Sequence, residues 1–117
     1  MRTNNYKEER PWGVFENLLD TDYCKVKEII IKPGQAPSYQ FHYKRSEVWI
    51  ITKGKGELKL DGSVIEVEPG SILHIPVEAK HQIRNTGSED LLFIEVQLGD
   101  YFGEDDIVRL EDSYGRA

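Results

Sequence analysis

Residues 34–54 read GQAPSYQFHYKRSEVWIITKG, and the fold turns on how this stretch is read. It opens at a Pro33-Gly34 turn, passes through Gln40 and His42, and continues into residues 47–52. That last segment is rich in β-branched and aromatic side chains, and it stops at Gly54. A short apolar run closed off by glycine reads as a strand. Side chains two apart on a strand share a face. Gln40 and His42 therefore point the same way, and so do Glu47, Trp49 and Ile51 among themselves.

Outward from this stretch the same texture repeats. Residues 25–32 contain Val26 and Ile29-Ile30-Ile31 and end at Pro33-Gly34. Residues 57–60 and 64–67 flank Asp61-Gly62, the strongest hairpin signal in the chain. Residues 72–75, 81–85 and 91–98 read as further strands, separated by Pro76 and by a polar loop at 86–88. Turns recur at roughly the eight-to-twelve-residue spacing of an all-β sandwich or barrel. A short helical turn is expected near 104–108 and no longer helix anywhere. Residues 1–10 are polar and are expected to lie loosely on the surface, with one ordered domain over 11–117.

Bulk properties narrow the function classes. The 117 residues suffice for a single core and not for two. A net charge of −6 argues against a nucleic-acid backbone as partner. A small anion held by a few inward-facing cations stays open. Cys24 is the one cysteine, so neither a disulfide framework nor a thiolate zinc module is available. No apolar run is long enough to span a bilayer and no signal-peptide core is visible, so a soluble cytoplasmic protein is expected. The edge strands of so short a barrel need cover, which makes a homodimer the expected quaternary state.

Gln40, His42, Glu47 and His81 are the candidate metal ligands. Two imidazoles, a carboxylate and an amide oxygen form a mixed nitrogen and oxygen set suited to Zn, Mn, Fe, Co or Ni. Taken singly, each has an ordinary surface or core explanation, and three histidines in a chain of this length are unremarkable in number. Their spacing is more informative. Gly34, Gln40, His42, Glu47 and Gly54 resemble the first cupin motif, with Gln in place of its first His. Gly70, Pro76, His81 and Asn85 resemble the second. The fold this implies is an all-β cupin, a double-stranded β-helix forming a small jelly-roll-like barrel. Ligands on separate strands of such a barrel converge on its interior. His74 has no place in either motif.

Longer strings are more specific. Arg10-Pro11-Trp12-Gly13 with Phe15, Ser38-Tyr39-Gln40-Phe41-His42 with Arg45-Ser46-Glu47, and Ile94-Glu95-Val96-Gln97 form one group. Gly103-Glu104-Asp105-Asp106-Ile107-Val108-Arg109 and Glu111-Asp112-Ser113-Tyr114-Gly115-Arg116 form another. Together they resemble the carboxy-terminal domain of type II mannose-6-phosphate isomerases, often fused behind a mannose-1-phosphate guanylyltransferase. The resemblance implies interconversion of mannose 6-phosphate and fructose 6-phosphate with a divalent metal, commonly zinc. It also implies a place in sugar-nucleotide or polysaccharide precursor supply. Gln40, His42, Glu47 and His81 would be the ligands, and Arg45 would bind the substrate phosphate or take part in catalysis. Two positions depart from the family pattern: Val48 stands where His is usual, and Gln82 where Arg is usual. Alternation turns both away from the ligand face. Nothing in these residues supports an expectation of GDP-mannose synthesis.

An aldose–ketose isomerase needs a base near the sugar carbons and an electrophile for the enediolate. Glu95 is the candidate base, because it interrupts an apolar strand and shares a face with Phe93 and Gln97. Lys44, Arg45, Lys53, Arg84 and Gln97 are candidate substrate contacts. Tyr39, Tyr43 and Trp49 could line the pocket or pack in the core. Asp105, Asp106, Glu111 and Asp112 read as a solvated acidic face or an interdomain and dimer contact rather than a second metal site. Alternatives on the same scaffold are an epimerase, an iron oxygenase, or a non-catalytic sugar-binding cupin.

Overall fold

A computed structural model of the chain describes residues 6–111. Its strands are β1 (Tyr6–Arg10), β2 (Gly13–Asp20), β3 (Cys24–Ile31), β4 (Tyr39–Phe41), β5 (Arg45–Lys53) and β6 (Gly56–Leu60). They continue with β7 (Ser63–Val67), β8 (Ile72–Ile75), β9 (His81–Asn85), β10 (Leu91–Gly99) and β11 (Val108–Glu111). The strands form two antiparallel sheets, in the orders β1-β2-β3-β10-β5-β8 and β11-β4-β9-β6-β7. Side chains from both, including Trp49, Ile51 and Phe93 from the first and Leu58, Val67 and Ile83 from the second, pack into one core. Among the described residues no helix is long and apolar enough to cross a membrane.

The period-2 reading of the long strands holds. On β5, Arg45, Glu47, Trp49 and Ile51 are buried, and on β10 so are Leu91, Phe93, Glu95 and Gln97. Antiparallel register places these residues in rows across the sheet. Lys25, Gln97 and Glu47 form one row, Lys27, Glu95 and Trp49 the next, and Ile29, Phe93 and Ile51 a third. His74 lies outward on β8 between buried Leu73 and Ile75. The Asp61-Gly62 turn joins β6 to β7 with φ of 47° and 89°. Positive φ at both residues suits a tight hairpin whose twist matches its strands.

Three segments depart from expectation. Residues 6–10 are not loose, because β1 pairs along its whole length with β2. Its charged residues suit an edge strand, which resists pairing with other chains by carrying charge. That polarity is also why it does not read as structure. Residues 1–5 lie outside the described residues. The turn near 104–108 is not helical: Asp106 N–H bonds the Gly103 carbonyl at 3.2 Å, and the chain then extends into β11 against β4.

Candidate metal centre

His42, Glu47 and His81 come from the loop after β4, from β5 and from β9, and all three are buried. Their potential ligand atoms lie within 4.8 Å of one another. Gln40 sits on β4 directly opposite His81 and lines the same cavity. That cavity holds about 90 Å³ and is also lined by Lys27, Arg45, Trp49 and Glu95.

Each imidazole is fixed by a backbone carbonyl. His42 Nδ1 lies 2.6 Å from the Asp106 carbonyl oxygen, and His81 Nδ1 lies 2.9 Å from that of Ala79. A carbonyl only accepts, so in both rings Nδ1 carries the proton and Nε2 presents a lone pair to the interior. Burial, with the Arg45 charge, also lowers the His42 pKa against the opposing pull of Glu47, which keeps that ring neutral. Such carbonyl partners are the usual supports of metal-ligating histidines.

Glu47 is held as a carboxylate. Its Oε1 accepts from Trp49 Nε1 at 2.8 Å, and its Oε2 accepts from Arg45 Nε at 2.8 Å. Burial alone would raise its pKa. Arg45, His81, His42 and the indole N–H together bring it down to about 2. Oε2 also faces His42 Nε2 at 3.5 Å, close to the separation of two donors that each sit about 2.1 Å from one ion. Two imidazoles, that of His42 with its Nε2 3.3 Å from Arg45 Nη2, an ionised carboxylate and a nearby amide make a donor set that fits a divalent first-row metal.

Glu95 behaves in the opposite way. It lies opposite Lys27 on one side and Trp49 on the other, fully enclosed. Burial and the neighbouring Glu47 charge push its pKa up to about 8, against the pull of Lys27, Arg45 and the Gln97 amide. Gln97 Nε2 donates to Glu95 Oε2 at 2.8 Å. Two buried carboxylates thus sit side by side in different protonation states, an arrangement that separates a ligand from a proton carrier.

The remaining sequence-derived residues divide. Arg45 is in the cavity wall, but Lys44, Lys53 and Arg84 are exposed and are not brought to it. Lys44 instead lies over the Tyr101 ring at 4.9 Å. Gln97 is buried against Glu95 rather than facing the cavity. Tyr43 is exposed and Tyr39 stacks under Lys59, so of the three aromatics only Trp49 lines the cavity. Gln82 turns away from the trio yet reaches the cavity edge, with its Nε2 on the Pro37 carbonyl at 2.9 Å.

Two functional residues escaped the sequence reading. Asp106 is buried, not solvated: its carboxylate accepts from the backbone N–H groups of Tyr43 and Lys44 at 3.1 and 2.9 Å while its carbonyl holds His42. Asp105 and Glu111 are exposed, and Asp112 lies outside the described residues. Lys27 is buried in the cavity wall, with Nζ 4.3 Å from the Phe15 ring centre. Its inward face was legible in principle, since Lys25, Lys27, Ile29 and Ile31 alternate.

Comparison with known proteins identifies the family. The family model for the mannose-6-phosphate isomerase C-terminal domain matches residues 2–112. The chain belongs to that family. Within it, the chain is 41% identical to the alginate biosynthesis protein AlgA of Pseudomonas putida over 114 residues, covering 97% of this chain and 24% of that protein. It therefore spans about a quarter of the length of this curated relative. The capsular polysaccharide assembling protein CapF of Staphylococcus aureus superposes with a TM-score of 0.80 at 26% identity, over 93% of this chain and 33% of that one. The cupin domain of Schizosaccharomyces pombe Cnp3 superposes with a TM-score of 0.72 at 15% identity, over 74% and 64%. The fold of this mannose-6-phosphate isomerase C-terminal family member is a cupin.

Proposed function

We propose that this domain is a metal-dependent aldose–ketose isomerase that interconverts mannose 6-phosphate and fructose 6-phosphate, with zinc as its ion. The observation that carries the reading is Glu95, a buried carboxyl with a raised pKa in the same cavity as the His42, Glu47 and His81 trio. Isomerisation moves one proton from C2 to C1 of the sugar and another from O2 to O1, with no net oxidation. Glu95 carries the carbon-bound proton, and its elevated pKa gives its ionised form the basicity for that task. Lys27 and Arg45 favour the ionised form when the proton must be taken. Gln97 holds the carboxylate in place through its amide.

His42, Glu47 and His81, with Gln40 beside them, would hold the ion. When bound, it supplies Lewis-acid stabilisation of the enediolate oxygens. The trio's enclosure among Trp49, Phe93 and Ile83 limits water at the reacting carbons. Membership of the family supports the sugar class, and the names of the alginate and capsular relatives support a place in polysaccharide precursor supply.

The test is to load the purified protein with zinc, cobalt or manganese and to follow fructose 6-phosphate formation from mannose 6-phosphate. Turnover is expected, with Glu95→Gln lowering kcat by roughly 10²–10⁴ while metal content is kept. Folded, metal-loaded protein without turnover in any of the three ions contradicts the reading.

A further inference from the structure

Beyond the metal trio, positive charge concentrates around Glu104: Lys27 and Arg45 belong to the cavity wall, and Lys25 lies beside it. Lys27 Nζ lies 2.6 Å from Glu104 Oε2, and Lys25 Nζ lies 4.0 Å from the same oxygen. The lysine side chains are 5% and 12% exposed, whereas the Glu104 side chain is 48% exposed. Arg45, also 5% exposed, spends Nε on Glu47, sets Nη2 3.3 Å from His42 Nε2, and leaves Nη1 buried without a hydrogen-bond partner among the described residues. A buried lysine and a half-buried one thus face one oxygen of a carboxylate that is itself half in water.

A structural ion pair accounts for this poorly. One lysine suffices to pair one carboxylate, and an ion pair serving stability gains little when its anion is open to solvent. Burial would raise the Glu104 pKa, yet Lys27, Arg45 and Lys25 together lower it, so all three cations act on the place this carboxylate occupies. Cavity size points the same way. About 90 Å³ is well below the roughly 300 Å³ at the lower end of small-molecule pockets. A phosphorylated hexose whose C1 and C2 reach the trio must leave its phosphate outside so small a space, and Lys27 and Arg45 are the lysine and arginine of the cavity wall.

We propose that Lys25, Lys27 and Arg45 form an oxyanion subsite for the substrate phosphate, and that Glu104 occupies it as an internal stand-in until the phosphate displaces it. The subsite rests on the sugar-phosphate reading above but does not need the isomerisation itself. A phosphate dianion offers more charge and more acceptor oxygens than one carboxylate, so the exchange improves the match to three cations. Glu104 is long and half exposed, and rotation about its own side-chain bonds vacates the place.

Calorimetric titration of inorganic phosphate into metal-loaded and chelator-treated protein tests this without any turnover. Glu104→Gln removes the competing carboxylate at a half-exposed position, and it should tighten phosphate binding roughly fivefold. Lys27→Met should weaken it roughly tenfold or more, the loss of one charge-assisted contact, and Lys27→Arg should stay near wild type. A merely structural pair would make Glu104→Gln neutral or harmful to binding, and either result overturns the proposal. So does failure of both wild type and Glu104→Gln to bind phosphate. Phosphate binding that responds to these variants without isomerase turnover keeps the subsite and removes the isomerase, and turnover with no response to Glu104→Gln does the reverse.

Discussion

The interior face shared by β3, β10 and β5 has two ends built on different principles. Toward one end, Ile29, Ile31, Leu91, Phe93 and Ile51 meet in rows, with the Trp49 and Phe93 rings stacked at 4.6 Å. Toward the other, the same inward positions carry Lys25, Lys27, Glu95, Gln97, Arg45 and Glu47. The same three strands carry both ends, with a register shift between Leu92 and Phe93 in the β10–β5 pairing at the apolar one. Burying the first set follows from the hydrophobic effect. Burying the second is costly unless each charge is paired or hydrogen-bonded. Arg45 on Glu47 and Gln97 on Glu95 provide that compensation for the carboxylates, while Lys27 rests on the half-exposed Glu104. The apolar end therefore anchors the barrel, while the polar end carries the candidate site.

Cutting into the apolar end should have the largest effect. Phe93→Ala is expected to cost about 3–5 kcal/mol of stability, the range for an enclosed phenyl group with its cavity left behind, measured by denaturant unfolding. A loss below 1 kcal/mol would mean that the two ends are not divided as described.

The polar end should reveal itself through pH. The Glu95 pKa is raised in the folded chain to about 8, so between the unfolded value of 4.5 and that point the folded state holds the extra proton. Its contribution is complete below the unfolded value and is lost as pH rises through about 8. Glu47 has the opposite sign, its contribution being present above 4.5 and lost as pH falls toward 2. Metal-free protein should therefore lose stability steadily from pH 5 to 8, and Glu95→Gln should flatten that slope. Thermal unfolding across this range checks the sign, and an unchanged slope in Glu95→Gln would exclude Glu95 as its source.

The two ends also differ in how openly the sequence declares them. Glu47, Trp49, Ile51, Phe93 and Glu95 follow strict alternation on long apolar strands, so their inward direction, the hairpin at Asp61-Gly62 and the grouping of His42, Glu47 and His81 were legible. Lys27 was legible only in its alternation, which Ile29-Ile30-Ile31 masks, and a lysine on a strand ordinarily faces water. Asp106 was hidden in an acidic run, and its role depends on a contact across 64 residues. Lys44, Lys53 and Arg84 had the right charge for a phosphate, but outward positions on a short barrel are as numerous as inward ones. Local pattern conveys periodicity, whereas closure of the C-terminal segment over the ligand loop is set by tertiary packing.

That closure predicts a smaller effect than the preceding ones. Asp106→Ala removes the acceptor for Tyr43 and Lys44 N–H and loosens the turn that carries His42, so metal affinity should fall about 10–100-fold with the barrel still folded. Competition with a chromophoric chelator measures this, and unchanged affinity would separate the turn from the metal centre. The smallest effects belong to Lys44→Ala, Lys53→Ala and Arg84→Ala, each within about 0.5 kcal/mol in stability and without change in the KM for mannose 6-phosphate. A raised KM in any of the three would extend the polar end beyond the cavity.

The central claim, that His42, Glu47 and His81 form a metal centre at the polar end, is tested most directly by elemental analysis of purified protein. After dialysis against zinc and removal of excess ion, wild type is predicted to retain close to one ion per chain. Glu47→Ala and His81→Ala are predicted to retain almost none, while circular dichroism still reports a folded barrel. Full occupancy in either variant, or a folded wild type that retains no ion, would contradict the account.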